Sequence, residues 1–128
     1  MSIPVAVADL ADALDDFGAG YLLSTSADGR VKAVTVEPEV VDGVLVITGP
    51  GRGSSANIAA NPAVTLLFPP REPRGFTLLV DGIAEVTGEQ ARVTPETAVL
   101  HRPAAHSDGP PAPDGCGHDC QPVGGGTA

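Results

Sequence analysis

The pattern that decides the fold runs from residue 43 to residue 69, as GVLVITG (43–49), PGRGSSANIAANP (50–62) and AVTLLFP (63–69). The first and last pieces are apolar and rich in β-branched residues, which is typical of buried strands. The middle piece opens with a glycine-rich turn and ends at Asn61-Pro62, a signal that stops a helix. The stretch therefore predicts a strand, a tight turn, a short helix and a second strand.

The start of this predicted helix has the features of an anion site. The first N–H groups of a helix have no partners within it, and the helix dipole adds partial positive charge. Arg52 lies beside these groups, while Ser54 can cap the helix and Ser55 can face an anion. The alternative is a plain turn, with Ser54 only as N-cap and Arg52 in solvent. The glycine spacing fits neither a P-loop nor a dinucleotide fingerprint.

The rest of the chain to about residue 100 predicts antiparallel sheet around this unit. We expect an amphipathic helix over 5–17, followed by strands joined at Asp28-Gly29 and Asp42-Gly43, turns too short for a parallel pair. Residues 76–86 predict one long strand with a bulge at Asp81-Gly82, and a last strand lies between 92 and 100, interrupted by Pro95. About six strands with two helices predict a mainly β protein, a small closed or nearly closed antiparallel barrel.

Charge and composition restrict the classes of function. The 128 residues include 7 basic and 16 acidic side chains, for a net charge of −9. Nucleic acids and anionic membranes need a basic face, so we expect neither as a partner. No segment approaches the roughly 20 apolar residues of a spanning helix, and the N-terminus lacks the pattern of a signal peptide. We therefore expect a cytoplasmic protein.

Two segments are similar to a known family in their order and separation: Ser-x-x-Asn-Ile-x-x-Asn-Pro at 54–62 and Val-Asp-Gly-Ile-Ala-Glu-Val at 80–86. Together with Thr-Gly-Pro at 48–50 and the Asp28-Gly29 hairpin, they resemble the pyridoxamine 5′-phosphate oxidase-like split β-barrels over roughly residues 5 to 100. The resemblance implies an antiparallel split barrel that forms a homodimer, with FMN or 8-hydroxy-5-deazaflavin in grooves at the subunit interface. A few relatives bind haem instead.

The resemblance also implies positions for the cofactor. Phosphate or ribityl contacts would come from Arg52, Ser54, Ser55 and Asn57, and contacts near the ring or chain from Lys32 and Thr35. Because the cofactor carries the chemistry, the expected function is a flavin- or deazaflavin-dependent oxidoreductase acting on a small-molecule substrate, with no catalytic residue assigned. A non-catalytic flavin- or haem-binding protein of the same fold remains open. A deazaflavin with an oligoglutamate tail would favour a more basic groove than this chain offers.

The composition changes at residue 103, which divides the chain into a barrel domain at 1–102 and a tail rich in proline and glycine at 103–128. All three histidines and both cysteines of the chain lie after residue 100: His101, His106, Cys116, His118 and Cys120. Two thiolates and two imidazoles would complete a tetrahedral zinc site, so a metal-binding or redox module in the tail is a further alternative. A reversible Cys116–Cys120 disulfide and a tail without such chemistry also remain open, and His101 could instead line the barrel beside the cofactor.

Overall fold

One antiparallel sheet organises residues 1–103, the part of the chain that this computed structural model describes. Its strands are β1 (Ser2–Val5), β2 (Gly20–Thr25), β3 (Val31–Val36), β4 (Glu39–Val41), β5 (Val44–Thr48), β6 (Ala63–Phe68), β7 (Thr77–Thr87) and β8 (Gln90–His101). A 3₁₀ turn at Val7–Asp9 and two α-helices, α1 (Leu10–Leu14) and α2 (Arg52–Ala60), complete the described elements. The predicted mainly β fold with two helices is confirmed.

The sheet forms a barrel that stays open on one side. The strand order is β3-β2-β6-β7-β8-β5-β4, and β1 pairs with β8 off this path. The two ends of the order, β3 and β4, are separated in sequence only by Glu37 and Pro38, yet no ladder joins them in the described residues. Strand β8 is long enough to serve two neighbours along one edge, with β5 against residues 90–93 and β1 against residues 98–101. This arrangement is a split barrel.

Alternate residues of each strand face the barrel interior. The register sets the inward residues in rows, and the central row is Val34, Leu22, Leu66, Val80 and Ala98. A neighbouring row holds Phe68, whose ring packs directly over Gly20. The missing side chain of Gly20 permits this contact, because a Cβ there would lie 2.5 Å from Phe68 Cδ1. The row on the other side differs in character, since it contains Lys32 and Ser24. Helix α2 lies against this polar end of the barrel, in contact with β2, β3 and β7.

The bulge predicted at Asp81-Gly82 is confirmed. The register of β7 against β8 passes from Asp81 opposite Thr97 to Gly82 opposite Pro95, which leaves Glu96 as the extra residue. Gly82 permits the close approach of the two strands, because a Cβ there would lie 2.5 Å from the carbonyl oxygen of Thr94. We had expected Pro95 to interrupt the last strand, and this expectation is wrong, since β8 continues through it. The missing N–H of proline is tolerated there because the bulge already breaks the ladder.

Three expectations about the elements are wrong in detail. The helix predicted over 5–17 is only Leu10–Leu14, preceded by a 3₁₀ turn and by a strand that pairs with the end of β8. The sheet has eight strands, because β1 and β4 are short and exposed and lack the alternation that marks a half-buried strand. The last strand is longer than predicted at both ends. In the described residues, no helix is long and apolar enough to cross a membrane.

Candidate functional site

The N-terminal turn of α2 presents backbone donors that the helix itself does not use. Gly51 is the N-cap with φ of 91°, a backbone conformation that favours glycine. The Ser55 N–H donates to the Gly51 carbonyl at 3.0 Å, so the N–H groups of Arg52, Gly53 and Ser54 precede the helical ladder. No side chain in the described residues caps the helix. The expected Ser54 cap is wrong, because Ser54 is the third residue of the helix.

The side chain of Lys32 lies over this same turn. A Cβ built on Gly53 would be 2.8 Å from Lys32 Cε and 3.2 Å from Lys32 Nζ, so the lysine stem packs directly on the glycine. The register explains the contact: Lys32 faces inward opposite Ser24, at the end of the barrel that α2 covers. Arg52, the first residue of α2, is exposed beside it. The Lys32 ammonium group, the N–H groups outside the helical ladder and the first helical residue, Arg52, thus belong to one helix terminus.

Below the turn, polar side chains connect α2 to the barrel. Asn57 Nδ2 donates to Ser24 Oγ at 3.1 Å, and Ser24 is completely buried. Ser54 is also completely buried, and its hydroxyl has no hydrogen-bond partner among the described residues. Ser55 and Asn57 are half-buried. Of the four residues expected at the phosphate, the structure leaves Arg52, Ser55 and Asn57 partly or fully accessible and encloses Ser54.

The structure does not bring Thr35 to this cluster. Thr35 is three residues along β3 from Lys32, about 10 Å away at 3.3 Å per residue, and it points to the opposite face of the sheet. It lines a separate cavity of about 250 Å³ together with Glu37, Glu39 and Thr48. The cavity also reaches Gly49, which precedes the α2 turn by two residues, Pro50 and Gly51.

His101 lies at the other end of the barrel from α2. Its Nδ1 is 3.1 Å from Ser2 Oγ, and its strand neighbour on β7 is Thr77, the first residue of that strand. His101 therefore does not flank the α2 turn. The other candidates for a metal site, His106, Cys116, His118 and Cys120, lie outside the described residues. Within residues 1–103, no group of three or more His, Cys, Asp or Glu side chains is placed to hold a metal ion.

A groove of about 440 Å³ on the outer face of the sheet was not anticipated from the sequence. Leu23, Leu67 and Leu79 supply apolar surface, and polar groups come from the strand bulge. There Thr65 Oγ1 donates to Asp81 Oδ1, and Glu96, the extra residue of the bulge, also lines the groove. The sequence did carry a signal for it, because leucines alternate with core residues along β2, β6 and β7.

The α2 turn suits a terminal phosphate. A phosphate dianion accepts hydrogen bonds from free backbone N–H groups and is neutralised by two nearby cations. The part of the chain that the structure describes provides both, with Lys32 packed on Gly53 and Arg52 as the first residue of the uncapped helix. Ser54, in contrast, is enclosed by the packing of α2 and is not at the surface where an anion would approach.

Comparison with known proteins identifies two mycobacterial relatives of this chain. No family profile matches it. It is 40% identical over 127 residues to the uncharacterized protein Mb0449c of Mycobacterium bovis. The uncharacterized protein MT0457 of Mycobacterium tuberculosis matches with the same figures, and each alignment covers 87% of this chain and 89% of the relative.

Solved structures with similar folds are more distant in sequence. An FAD-binding protein from Mesorhizobium loti superposes with a TM-score of 0.62 at 14% identity, over 80% of this chain and 99% of that protein. The FAD-binding protein from Mycobacterium smegmatis gives 0.58 at 16% identity, over 80% and 100%. A putative pyridoxamine 5′-phosphate oxidase from Listeria innocua gives 0.59 at 18% identity, over 73% and 96%. The chain therefore belongs to the family of the two mycobacterial proteins, and it has the split β-barrel fold of the pyridoxamine 5′-phosphate oxidase-like proteins.

Proposed function

We propose that this protein binds FMN through its terminal phosphate at the N-terminal turn of α2, and that it is a cytoplasmic oxidoreductase acting on a small molecule. The observation that carries the proposal is the position of Lys32 over Gly53, beside Arg52 and the uncapped helix start. Two solved proteins with this fold are described as FAD-binding, which supports a flavin as the ligand class. When bound, the cofactor would supply hydride transfer, and the described residues would hold and orient it.

The charges at the site favour FMN over a deazaflavin with an oligoglutamate tail. Lys32 and Arg52 together balance one phosphate monoester, which carries nearly two negative charges at neutral pH. The remaining basic residues of the chain are Arg30, Arg71, Arg74, Arg92 and Arg102. Arg71 and Arg102 lie with Phe17 and Phe76 at the other end of the barrel, away from α2. A deazaflavin with an oligoglutamate tail would find less support here.

Haem is a weaker candidate than a flavin for the described domain. A haem iron needs an axial ligand such as histidine. Among the described residues the only histidine is His101, whose ring nitrogen is within hydrogen-bonding distance of Ser2 at the far end of the barrel. The zinc proposal for the tail requires residues beyond 103 and gains no support from the described domain.

The outer face of the sheet supports the proposal that two copies associate. The register sets Tyr21, Leu67, Leu79 and Val99 side by side across four strands. Tyr21 is 42% exposed, and the leucines border the outer groove. Contiguous exposed apolar surface marks interaction sites, and we propose a second copy of this chain as the occupant. A Leu67→Glu variant would then be monomeric by native mass spectrometry, whereas Val7→Glu, at an exposed site on the 3₁₀ turn, would remain dimeric.

The cofactor proposal is tested by titrating the full chain with FMN, FAD, 8-hydroxy-5-deazaflavin and haem, followed by native mass spectrometry and visible absorption. We expect a dimer with one FMN per subunit. A hydride donor assay on that complex then separates an oxidoreductase from a flavin-binding protein without turnover. Binding of haem alone, or of none of the four, would contradict the proposed function.

A further inference from the structure

We infer that Gly53 is a positioning residue: the space left by its missing side chain holds the ammonium group of Lys32 at the α2 turn and so sets the affinity of the site for a phosphate monoester. The inference rests on the proposed function, since it concerns the same turn. It assigns a role to a residue that neither the sequence pattern nor the resemblance identified as functional.

The contact is direct and specific to the lysine stem. The three heavy atoms nearest to a Cβ on Gly53 all belong to Lys32: Cε at 2.8 Å, Cδ at 3.1 Å and Nζ at 3.2 Å. Distances below 3.0 Å do not occur for real Cβ atoms, so an alanine at this position and the observed lysine conformation exclude each other. Lysine side chains commonly pack their methylene groups on a surface and extend the charged end to solvent. In this protein the methylene groups of Lys32 pack on the backbone of Gly53.

The backbone gives no reason for a glycine at this position. Gly53 is within α2 and lacks the positive φ that distinguishes Gly51, the N-cap, at 91°. In a helix, glycine is less favourable than alanine because it loses more conformational entropy on folding. We therefore attribute the glycine at residue 53 to the space that it leaves, which the Lys32 stem fills.

An alanine at residue 53 would therefore move Lys32 and leave the fold intact. The atoms that it meets are the end of a flexible side chain and not backbone, so the lysine can swing away at little cost. In the wild type the exposed Lys32 ammonium group adds to the positive field of the free N–H groups at the helix terminus. In Gly53→Ala it would leave this position. Phosphate affinity should therefore fall, while stability should stay the same or rise.

The test is a double-mutant cycle with Gly53→Ala and Lys32→Ala in the full chain. We expect Gly53→Ala to weaken FMN binding at least fivefold while the melting temperature stays the same or rises. In the Lys32→Ala background, Gly53→Ala should change the affinity less than twofold, because no lysine stem remains to be displaced. Ala59→Gly, on an exposed face of the same helix, should lower the melting temperature and leave the affinity unchanged. An equal loss in both backgrounds, or no loss in either, would overturn the inference.

A titration with inorganic phosphate separates this inference from the proposed function. If wild-type protein does not bind FMN, the proposed function fails, and NMR of the apo protein decides the inference. Phosphate should then shift the Lys32 Cε signal and the Arg52 and Gly53 amide signals in wild type, with the Lys32 shift lost in Gly53→Ala. Absence of these shifts in wild type would overturn the role of Gly53 as well.

Discussion

The side-chain amide of Asn57 donates a hydrogen bond to the hydroxyl of Ser24, with 3.1 Å between Nδ2 and Oγ. The bond joins α2 to β2 at the end of the barrel where the core becomes polar. Helix α2 has little apolar surface with which to dock, since Ile58 is its one fully buried apolar residue. The position of α2, and with it the proposed phosphate turn, therefore depends on a polar contact as well as on packing.

Removing Asn57 should cost more stability than removing Ser24. In Asn57→Ala the fully buried Ser24 hydroxyl loses its partner, and we expect a loss of about 1–2 kcal/mol in the free energy of unfolding. In Ser24→Ala the half-buried Asn57 amide can still reach water, so we expect about 0.5–1 kcal/mol. Urea denaturation of both variants and of the double variant measures the difference. A larger loss for Ser24→Ala would contradict this account of the bond.

Replacing Ser54 by alanine should preserve or increase stability. Its hydroxyl is buried without a partner in the described residues, and removing an unpaired buried polar group gains up to about 1 kcal/mol. FMN affinity should not change, because the side chain is enclosed. Thermal unfolding and an FMN titration of Ser54→Ala measure both quantities, and Ser55→Ala is the control at the more accessible serine. A clear loss of FMN affinity would restore Ser54 to the phosphate contacts expected from the sequence.

Replacing Arg52 by alanine should weaken FMN binding at least tenfold, which corresponds to about 1.4 kcal/mol. The variant removes one of the two cations at the helix start, while the exposed position of Arg52 leaves the fold unaffected. Arg71→Ala removes the same charge at the other end of the barrel, where Arg71 Nη2 donates to the Phe17 carbonyl at 2.8 Å. Fluorescence titration of FMN should show less than a twofold effect for that control. Equal affinities in Arg52→Ala and wild type would refute the phosphate assignment.

An alanine at Gly82 should strain the contact between β7 and β8. Its Cβ would meet the Thr94 carbonyl oxygen at 2.5 Å and Val93 Cγ1 at 2.9 Å, and backbone cannot move aside as a side-chain end can. We expect a loss of about 3 kcal/mol in the free energy of unfolding. Gly18→Ala is the control, because a Cβ there has no heavy atom within 4 Å among the described residues. A Gly82→Ala protein as stable as this control would show that the bulge relaxes freely.

Structural features that depend on a few adjacent residues could be predicted well from the sequence. The turns at Asp28-Gly29 and Asp42-Gly43 and the bulge at Asp81-Gly82 depend on glycine, whose missing Cβ permits backbone conformations and close approaches that other residues avoid, and helix α2 ends at Asn61-Pro62. Strand β1 could not be found in this way. Its residues are mostly exposed and include Pro4, and they are extended only because β8 lies alongside to pair with them. The N-terminal helix was too long in our prediction for the same reason.

The residues of the candidate site could be named from the sequence, but their arrangement in space could not. The glycine-rich turn and Arg52 indicated an anion site, and the resemblance added Lys32. The burial of Ser54 depends on how α2 sits on the barrel, and the separation of Thr35 from Lys32 depends on which face of β3 points inward. The contact between Lys32 and Gly53 joins residues 21 positions apart in the chain, so no local pattern records it.

The pairing of β1 with β8 has a consequence for how the domain is made. The N-terminal amine of Met1 donates to the Arg102 carbonyl at 2.9 Å, and the Arg102 N–H donates back to the Met1 carbonyl at 3.1 Å. The ribosome synthesises β1 before β8, so β1 cannot pair with residues 98–101 until the end of the described domain has been made. This ladder joins residues about a hundred positions apart, and long-range pairing of this kind forms slowly because a long loop must first close.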